Sequence, residues 1–443
     1  MAHYSINKIL SPLPWICLVV SVIGSCVFLI NLACLFIKTQ EIAISPLPAF
    51  QVCLLACYLL AVFIFRRSNN IWRSYLPLLA ILIIYFCGVT NRNPLGDHDL
   101  LIAHAFDPNI SIAEPLAYFL YKLIIKFTEN SSYLNLISPS FGIFAVLSYF
   151  MLTHKLSEMI HIQQWVFKIA LIAMPFPFFY TYGYIENTQL STPFFIAFLW
   201  ASMNYLSAKT IRMQWISWSG LSLFLSLAIL THGQNWFVMP TIFLIPFIKN
   251  ISPNIKNYAV KIISSALIFT ALSFAIYKIS MMQGWQVFPG SSLGGGDGLR
   301  FVPLNTSELN KYATFTMFSL EHLVQISSII IFSGFYILSA PAILIFRSLL
   351  GSGWDRMNDA HRNPAVILLS ITSLGYLSFI TLWNFDFGFP VDVDLMLTMG
   401  ISLSLFNVIA INRLIDSNIL KAILISLSGL MSLWFLSPLQ MLR

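Results

Sequence analysis

The stretch AVKIISSALIFTALSFAIYKI, residues 259–279, decides how this chain must be read. Its charged residues are Lys261 and Lys278, one near each end. The apolar run between them is long enough, as a helix, to cross a hydrocarbon core of roughly 30 Å. Runs of the same kind recur at 12–37, 47–65, 74–90, 134–153, 164–182, 188–206, 215–232, 235–248, 322–346, 365–383, 395–411 and 419–437. Together they predict an all-α integral membrane protein, a polytopic bundle of about thirteen transmembrane helices. Pro175 and Pro177 are expected to kink the run over 164–182.

Composition agrees. Of 443 residues, 58% are hydrophobic and 9% charged, with a mean hydropathy of +0.80. Soluble chains carry about 25% charged residues, which excludes a soluble domain. The net charge of +7 is spread over short loops, so it reads as membrane anchoring and not as nucleic-acid binding. Lys8 precedes an apolar stretch too long for a signal-peptide core and without a small-residue cleavage site, so no cleavable leader is expected. Cys17, Cys26, Cys34, Cys53, Cys57 and Cys87 fall in the first three apolar runs without metal-site spacing and read as small core residues.

Sorting the polar connections by Lys and Arg makes every second one basic. With the N-terminus inside, the cytoplasmic segments carry Lys8, Arg66, Arg67, Arg73, Lys155, Lys209, Arg212, Lys249, Lys256, Lys261, Arg347, Arg356, Arg362, Arg413 and Lys421. The opposite connections hold Asp97, Asp99, Asp107, Glu114, Glu186, Asp297, Asp386, Asp392 and Asp394. A multi-spanning chain that gathers its carboxylates outside the cytoplasm is expected to bind or react there.

Two of the outer segments are long. Residues 91–133 open with NRNPLGDHD and continue from Ser111 to Phe127 with apolar residues at helical spacing around Glu114, Lys122 and Lys126, as in an amphipathic helix lying in the interface. Residues 280–321 contain SSLGGGDGLR, whose glycines predict a mobile outer loop. The resulting organisation is two N-terminal spans in 1–73, a core in 74–279, the loop 280–321 and C-terminal spans in 322–443.

Four constellations could carry chemistry. Gly96-Asp97-His98-Asp99 places two carboxylates two residues apart at the water interface; one can accept a proton while the other orients a substrate or binds a divalent cation. The alternative is a solvated turn. Gly183-Tyr184-Ile185-Glu186-Asn187 puts Glu186 at headgroup level, costly unless it is paired or faces a wet cavity, with Tyr184 and Asn187 suited to gripping a sugar. A glutamate near a positive helix terminus is the bland reading. Thr231-His232-Gly233-Gln234-Asn235-Trp236 is a tight turn whose imidazole can bind phosphate or metal or donate a hydrogen bond; equally, it is a polar turn with Trp236 as interface anchor. Residues 384–394, NFDFGFPVDVD, bring Asp386, Asp392 and Asp394 against an apolar run, where a purely structural role would be expensive. Gly294-Gly295-Gly296-Asp297 lacks the lysine and framing of a phosphate loop, although Arg300 beyond it could clamp a lipid phosphate.

Taken together, these residues resemble the GT-C class of membrane glycosyltransferases, the polyprenyl-phosphate-sugar-dependent enzymes that include protein O-mannosyltransferases and aminoarabinose transferases. The likeness is carried by Gly96 to Asp99 after a core span, the amphipathic stretch Ser111 to Phe127, Glu186 in the next outer connection, and a long outer loop after seven core spans. It covers about residues 74–321. The acidic motif follows the third span where the class has it after the first, it is Asp-His-Asp, and no large soluble outer domain is present. The resemblance implies transfer of a hexosyl or pentosyl group, with inversion, from a polyprenyl-phosphate-linked sugar donor to a glycan, lipid or protein acceptor at the extracytoplasmic face. In that scheme Asp97 is the base, and Asp99 and Glu186 orient the acceptor. They are also the candidate metal ligands if a divalent cation, magnesium or manganese, takes part. His232 and Arg300 stabilise the departing phosphate, with Tyr184, Asp392 and Asp394 completing the binding set. The implied location is a bacterial inner membrane, with membrane lipids as surroundings. Two other readings stand beside it: a surface-polysaccharide polymerase or ligase, for which more outer arginines than Arg92 and Arg300 would be expected, and a transporter or flippase, which would need ionisable residues deep within spans.

Overall fold

The computed structural model describes residues 98–111, 114–174, 177, 180, 187–249, 254–288, 301–309, 315–333, 363–383 and 397–426. The expected first three spans, the cysteines, Asp97, Tyr184, Glu186, Arg300, Asp392 and Asp394 lie outside these residues.

Most of the described chain is helical, with one short parallel pair of strands. Helices α1 (His98–Phe106) and α2 (Pro115–Thr128) flank strand β1 (Asn109–Ser111). Then follow α3 (Ile137–Ile160), α4 (Gln164–Ala173), α5 (Asn187–Ser207), α6 (Ile211–Thr231), α7 (Pro240–Lys249) and α8 (Ile255–Met282). Strand β2 (Gln286–Phe288) pairs with β1 in parallel register, Ile110 opposite Val287, and α9 (Leu320–Ser333), α10 (Pro364–Leu382) and α11 (Leu397–Leu414) complete the order. Four of these, α3, α6, α8 and α10, are long and apolar enough to cross a membrane. An all-α membrane protein is thus supported in outline.

Several local features differ from the sequence reading, each for a physical reason. Asp99 sits in the first turn of α1 and not in a loop. The interfacial helix begins at Pro115, since proline suits the first helical position, and Asn109–Ser111 before it is extended and paired with β2. Helix α4 stops at Ala173, and Met174 is already extended, the conformation that a following proline imposes. The run 235–248 is not one span: a 3-10 turn over Gly233–Val238 precedes α7, whose ten residues reach only about 15 Å. Lys122 is buried, with its ammonium donating to the backbone oxygens of His104 (2.9 Å) and Asp107, so it staples α1 and β1 to α2. Burial pushes it down to about 8 against the attraction of Asp107.

Helix ends sort into two poles. At the basic pole, Lys249 Nζ donates to the oxygens of Tyr205 and Ala208 (both 2.7 Å), closing the C-terminal end of α5 as cations do at a negative helix terminus. Lys261 Nζ donates to the Tyr205 hydroxyl (2.6 Å), and Trp218 donates its indole N–H to the Lys261 oxygen (2.9 Å), tying α5, α6 and α8 together. Asn363 caps α10 by accepting from Ala365 N–H (2.9 Å) and also donates to Met159 O of α3 (2.9 Å). Arg413 of α11 donates to Ile160 O (2.8 Å). The main core lies between the poles, with Trp218, Tyr149, Phe167, Phe195 and Tyr376 among its largest side chains.

Candidate functional site

The opposite pole is built from the N-terminal ends of α2 and α5 and the C-terminal end of α6. Glu114 precedes α2 as its N-cap, yet its carboxylate makes no cap bond to that helix. It reaches across instead. Its Oε1 lies 3.1 Å from His232 Nε2, and its Oε2 accepts from Asn187 Nδ2. Asn187 Oδ1 in turn accepts from the Tyr121 hydroxyl (2.8 Å), one face of α2 thus supporting both ends of the network. The pair is mostly buried, with side-chain exposures of 11% for His232 and 16% for Glu114.

Local sequence explains why His232 is held there. It ends α6 and is the N-cap of the 3-10 turn, where its Nδ1 accepts from Gln234 N–H (3.2 Å). That bond fixes the tautomer: Nδ1 is the acceptor, so the proton of the neutral ring sits on Nε2 and is donated to Glu114. Burial pushes the imidazole down to about 3, favouring the neutral ring. The turn itself is pinned. Asn235 Nδ2 donates to Ala228 O (3.0 Å) and His232 O (3.1 Å), while Asn235 Oδ1 accepts from the Tyr376 hydroxyl (2.8 Å) of α10. Gly375, one residue earlier on α10, lets the two backbones touch: a Cβ there would lie 2.6 Å from Phe237 O.

The first turns of α5 are polar and buried, with Asn187, Thr188, Gln189, Ser191 and Thr192 all inside. Pro193 cannot donate to the oxygen of Gln189, and the Tyr180 hydroxyl does so instead (2.6 Å). Ser138 of α3 donates to Gln189 Oε1 (3.0 Å), and Thr192 meets Thr398 of α11 (2.8 Å). Gln234, on the same turn as His232 and 3% exposed, keeps both amide atoms unpartnered among the described residues. A buried amide with donor and acceptor unspent is rare in a native fold and suits a ligand hydroxyl, which also has one of each.

Of the residues nominated from the sequence, His232 is thus placed in a buried network, with its Nε2 proton directed at a carboxylate and not at a phosphate. Asp99 lies in α1, which packs against α2 through Leu101, Ala105, Tyr118 and Tyr121. Glu186 immediately precedes Asn187 in the chain, but its own placement lies outside the described residues, as do those of Asp97, Tyr184, Arg300, Asp392 and Asp394. Among the described residues no three His, Cys, Asp or Glu side chains gather as metal ligands would; the side chains of Asp99 and Glu186, the two nominated ligands, are not among those described. Glu114 entered the sequence reading as one of the outer carboxylates and as an acidic residue of an interfacial helix, and not as a site residue. Its signal is the Glu-Pro pair opening an apolar helical run, and that of Asn187 is five polar residues, 187–189 and 191–192, at the head of a span. Compared with protein-family models, curated proteins and solved structures, the chain gives no match.

Proposed function

We propose that the protein is a membrane glycosyltransferase that moves a sugar from a polyprenyl-phosphate carrier to an acceptor hydroxyl or amine at the extracytoplasmic face. The observation that carries this reading is the carboxylate–imidazole–amide network of Glu114, His232 and Asn187, buried at the pole opposite the basic one. By the positive-inside rule that pole is the outer one. Polyprenyl-linked donors approach from the bilayer there, and the half-buried helix α2 lies at the same level. Deprotonating an acceptor and orienting sugar hydroxyls call for the residue types found: a carboxylate, positioned donors, and the unspent amide of Gln234. The resemblance adds Asp97 as a second candidate base. Asp99 and Glu186 serve as acceptor or cation contacts, Tyr184, Asp392 and Asp394 as sugar contacts, and Arg300 as the phosphate clamp.

Membranes containing the full chain, supplied with a labelled polyprenyl-phosphate hexose, are expected to release polyprenyl phosphate faster than membranes without it. Release no faster than the control, together with movement of intact labelled lipid between leaflets, would replace the enzyme by a flippase.

A further inference from the structure

We propose that Glu114 takes the proton from the acceptor, and that His232 and Asn187 position it without exchanging protons themselves. This rests on the transfer reading and names the roles within its site.

Hydrogen-bond accounting leads there. The two nitrogens of His232 are both engaged, Nδ1 by Gln234 N–H (3.2 Å) and Nε2 by Glu114 (3.1 Å), so the imidazole presents no basic lone pair to a substrate. Asn187 is equally fixed. Its Oδ1 receives the Tyr121 hydroxyl (2.8 Å), which leaves the Nδ2 end to donate, and it donates to Glu114. Two locked donors therefore point at one carboxylate. That carboxylate is not committed to capping α2, where a residue at its position would ordinarily be. It is the member of the three that can gain a proton without breaking the arrangement, and its side chain keeps 16% exposure. Among the described residues, the groups that reach the pair from neighbouring elements include the Tyr121 hydroxyl, through Asn187, and the Tyr376 hydroxyl, through Asn235.

The step balances without a further reagent. An acceptor oxygen or nitrogen gives its lone pair to the anomeric carbon. The bond from that carbon to the phosphate oxygen breaks, and its electron pair leaves with polyprenyl phosphate. The acceptor proton passes to a carboxylate oxygen of Glu114 and later to water.

The test compares full-length wild type with Glu114→Gln, Glu114→Asp, His232→Gln and Asp97→Asn in membranes, using a labelled polyprenyl-phosphate hexose. Removing a general base lowers turnover by about 10²–10⁴-fold. We expect such a loss in Glu114→Gln with KM little changed, partial recovery in Glu114→Asp, and a smaller loss in His232→Gln. Wild-type turnover in Glu114→Gln alongside loss in Asp97→Asn would transfer the role to Asp97 and leave the glycosyl-transfer reading intact. Absence of turnover in wild type would remove that reading and this role together. A second measurement needs no variant to fold: in 15N-histidine-labelled protein, His232 is expected to show a neutral ring protonated at Nε2 throughout pH 5–8. A resonance titrating near neutrality would overturn its assignment as a fixed donor.

Discussion

An unfolded histidine titrates near 6.5, whereas burial holds His232 at about 3. Below about pH 6.5 the unfolded chain therefore takes up a proton that the folded chain refuses. Stability that is complete at neutral pH and above is lost as the pH falls towards 3. Glu114 pulls the other way, but protonating Nδ1 would break its bond to Gln234 N–H, so the neutral form prevails. Between pH 7 and pH 5 the expected loss is about 2 kcal/mol, read as a lower melting temperature in detergent. His232→Gln, which cannot titrate, should flatten that limb; an equally steep limb in the variant would place the proton uptake elsewhere. Tyr121→Phe tests the neighbouring link. It leaves the buried Oδ1 of Asn187 without its phenolic donor, at a cost of about 1–3 kcal/mol, and frees the amide to turn away from Glu114. Reduced melting temperature and reduced transferase turnover together are expected, and loss of neither would separate Asn187 from the site.

At the scale of elements, the 3-10 turn bearing His232 depends on how closely α10 can approach it. Gly375→Ala would set a methyl 2.6 Å from Phe237 O. The obstacle is backbone, so the helix must shift, and the hydrogen bond from Tyr376 to Asn235 must lengthen with it. A destabilisation of about 1–3 kcal/mol is expected, typical of overpacking, measured as a lower thermal midpoint. An unchanged midpoint would show that α10 can move away without cost. Similarly, Lys122→Met would leave the oxygens of His104 and Asp107 without their ammonium donor and loosen α1 and β1 from α2. Proteolysis between α1 and α2 should then quicken. These elements also show what the sequence disclosed. Apolar length alone announced α3, α6, α8 and α10, because a bilayer crossing needs a fixed run of apolar residues. Pro175 was read as a kink within a longer run, whereas α4 ends two residues before it, at Ala173. The pairing of β1 with β2 was not legible, since three residues on either side of a chain stretch that holds α2 to α8 carry no local signal of each other. Nor was the Glu114–His232 contact, for the two are joined only by the packing of α2, α5 and α6 around the same pole.

At the scale of the molecule, the two poles make a claim about orientation that can be measured directly. Helix α8 links them. It begins beside the lysines and ends at Met282, and the next residue, Gln283, accepts from Lys126 of α2. Its 28 residues extend about 42 Å, more than a hydrocarbon core of roughly 30 Å, so its two ends cannot both lie on one side while it crosses. Lys256 is exposed in its first turn, and Phe127, 80% exposed, follows the Lys126 that donates to Gln283 just past its end. In a background with the six cysteines replaced, Lys256→Cys should react with an impermeant maleimide only from the cytoplasmic side, and Phe127→Cys only from the other. The sidedness follows from the basic residues, Lys155, Lys209, Arg212, Lys249, Lys256, Lys261 and Arg413, that collect at the same pole as Lys256. Reversed labelling would keep the architecture and turn the Glu114 pole towards the cytoplasm, where a reaction on lipid-linked sugars destined for the outer surface has no place. Labelling of both positions from one side would mean that α8 lies along the membrane and does not cross it, and the two-pole arrangement would fail with it.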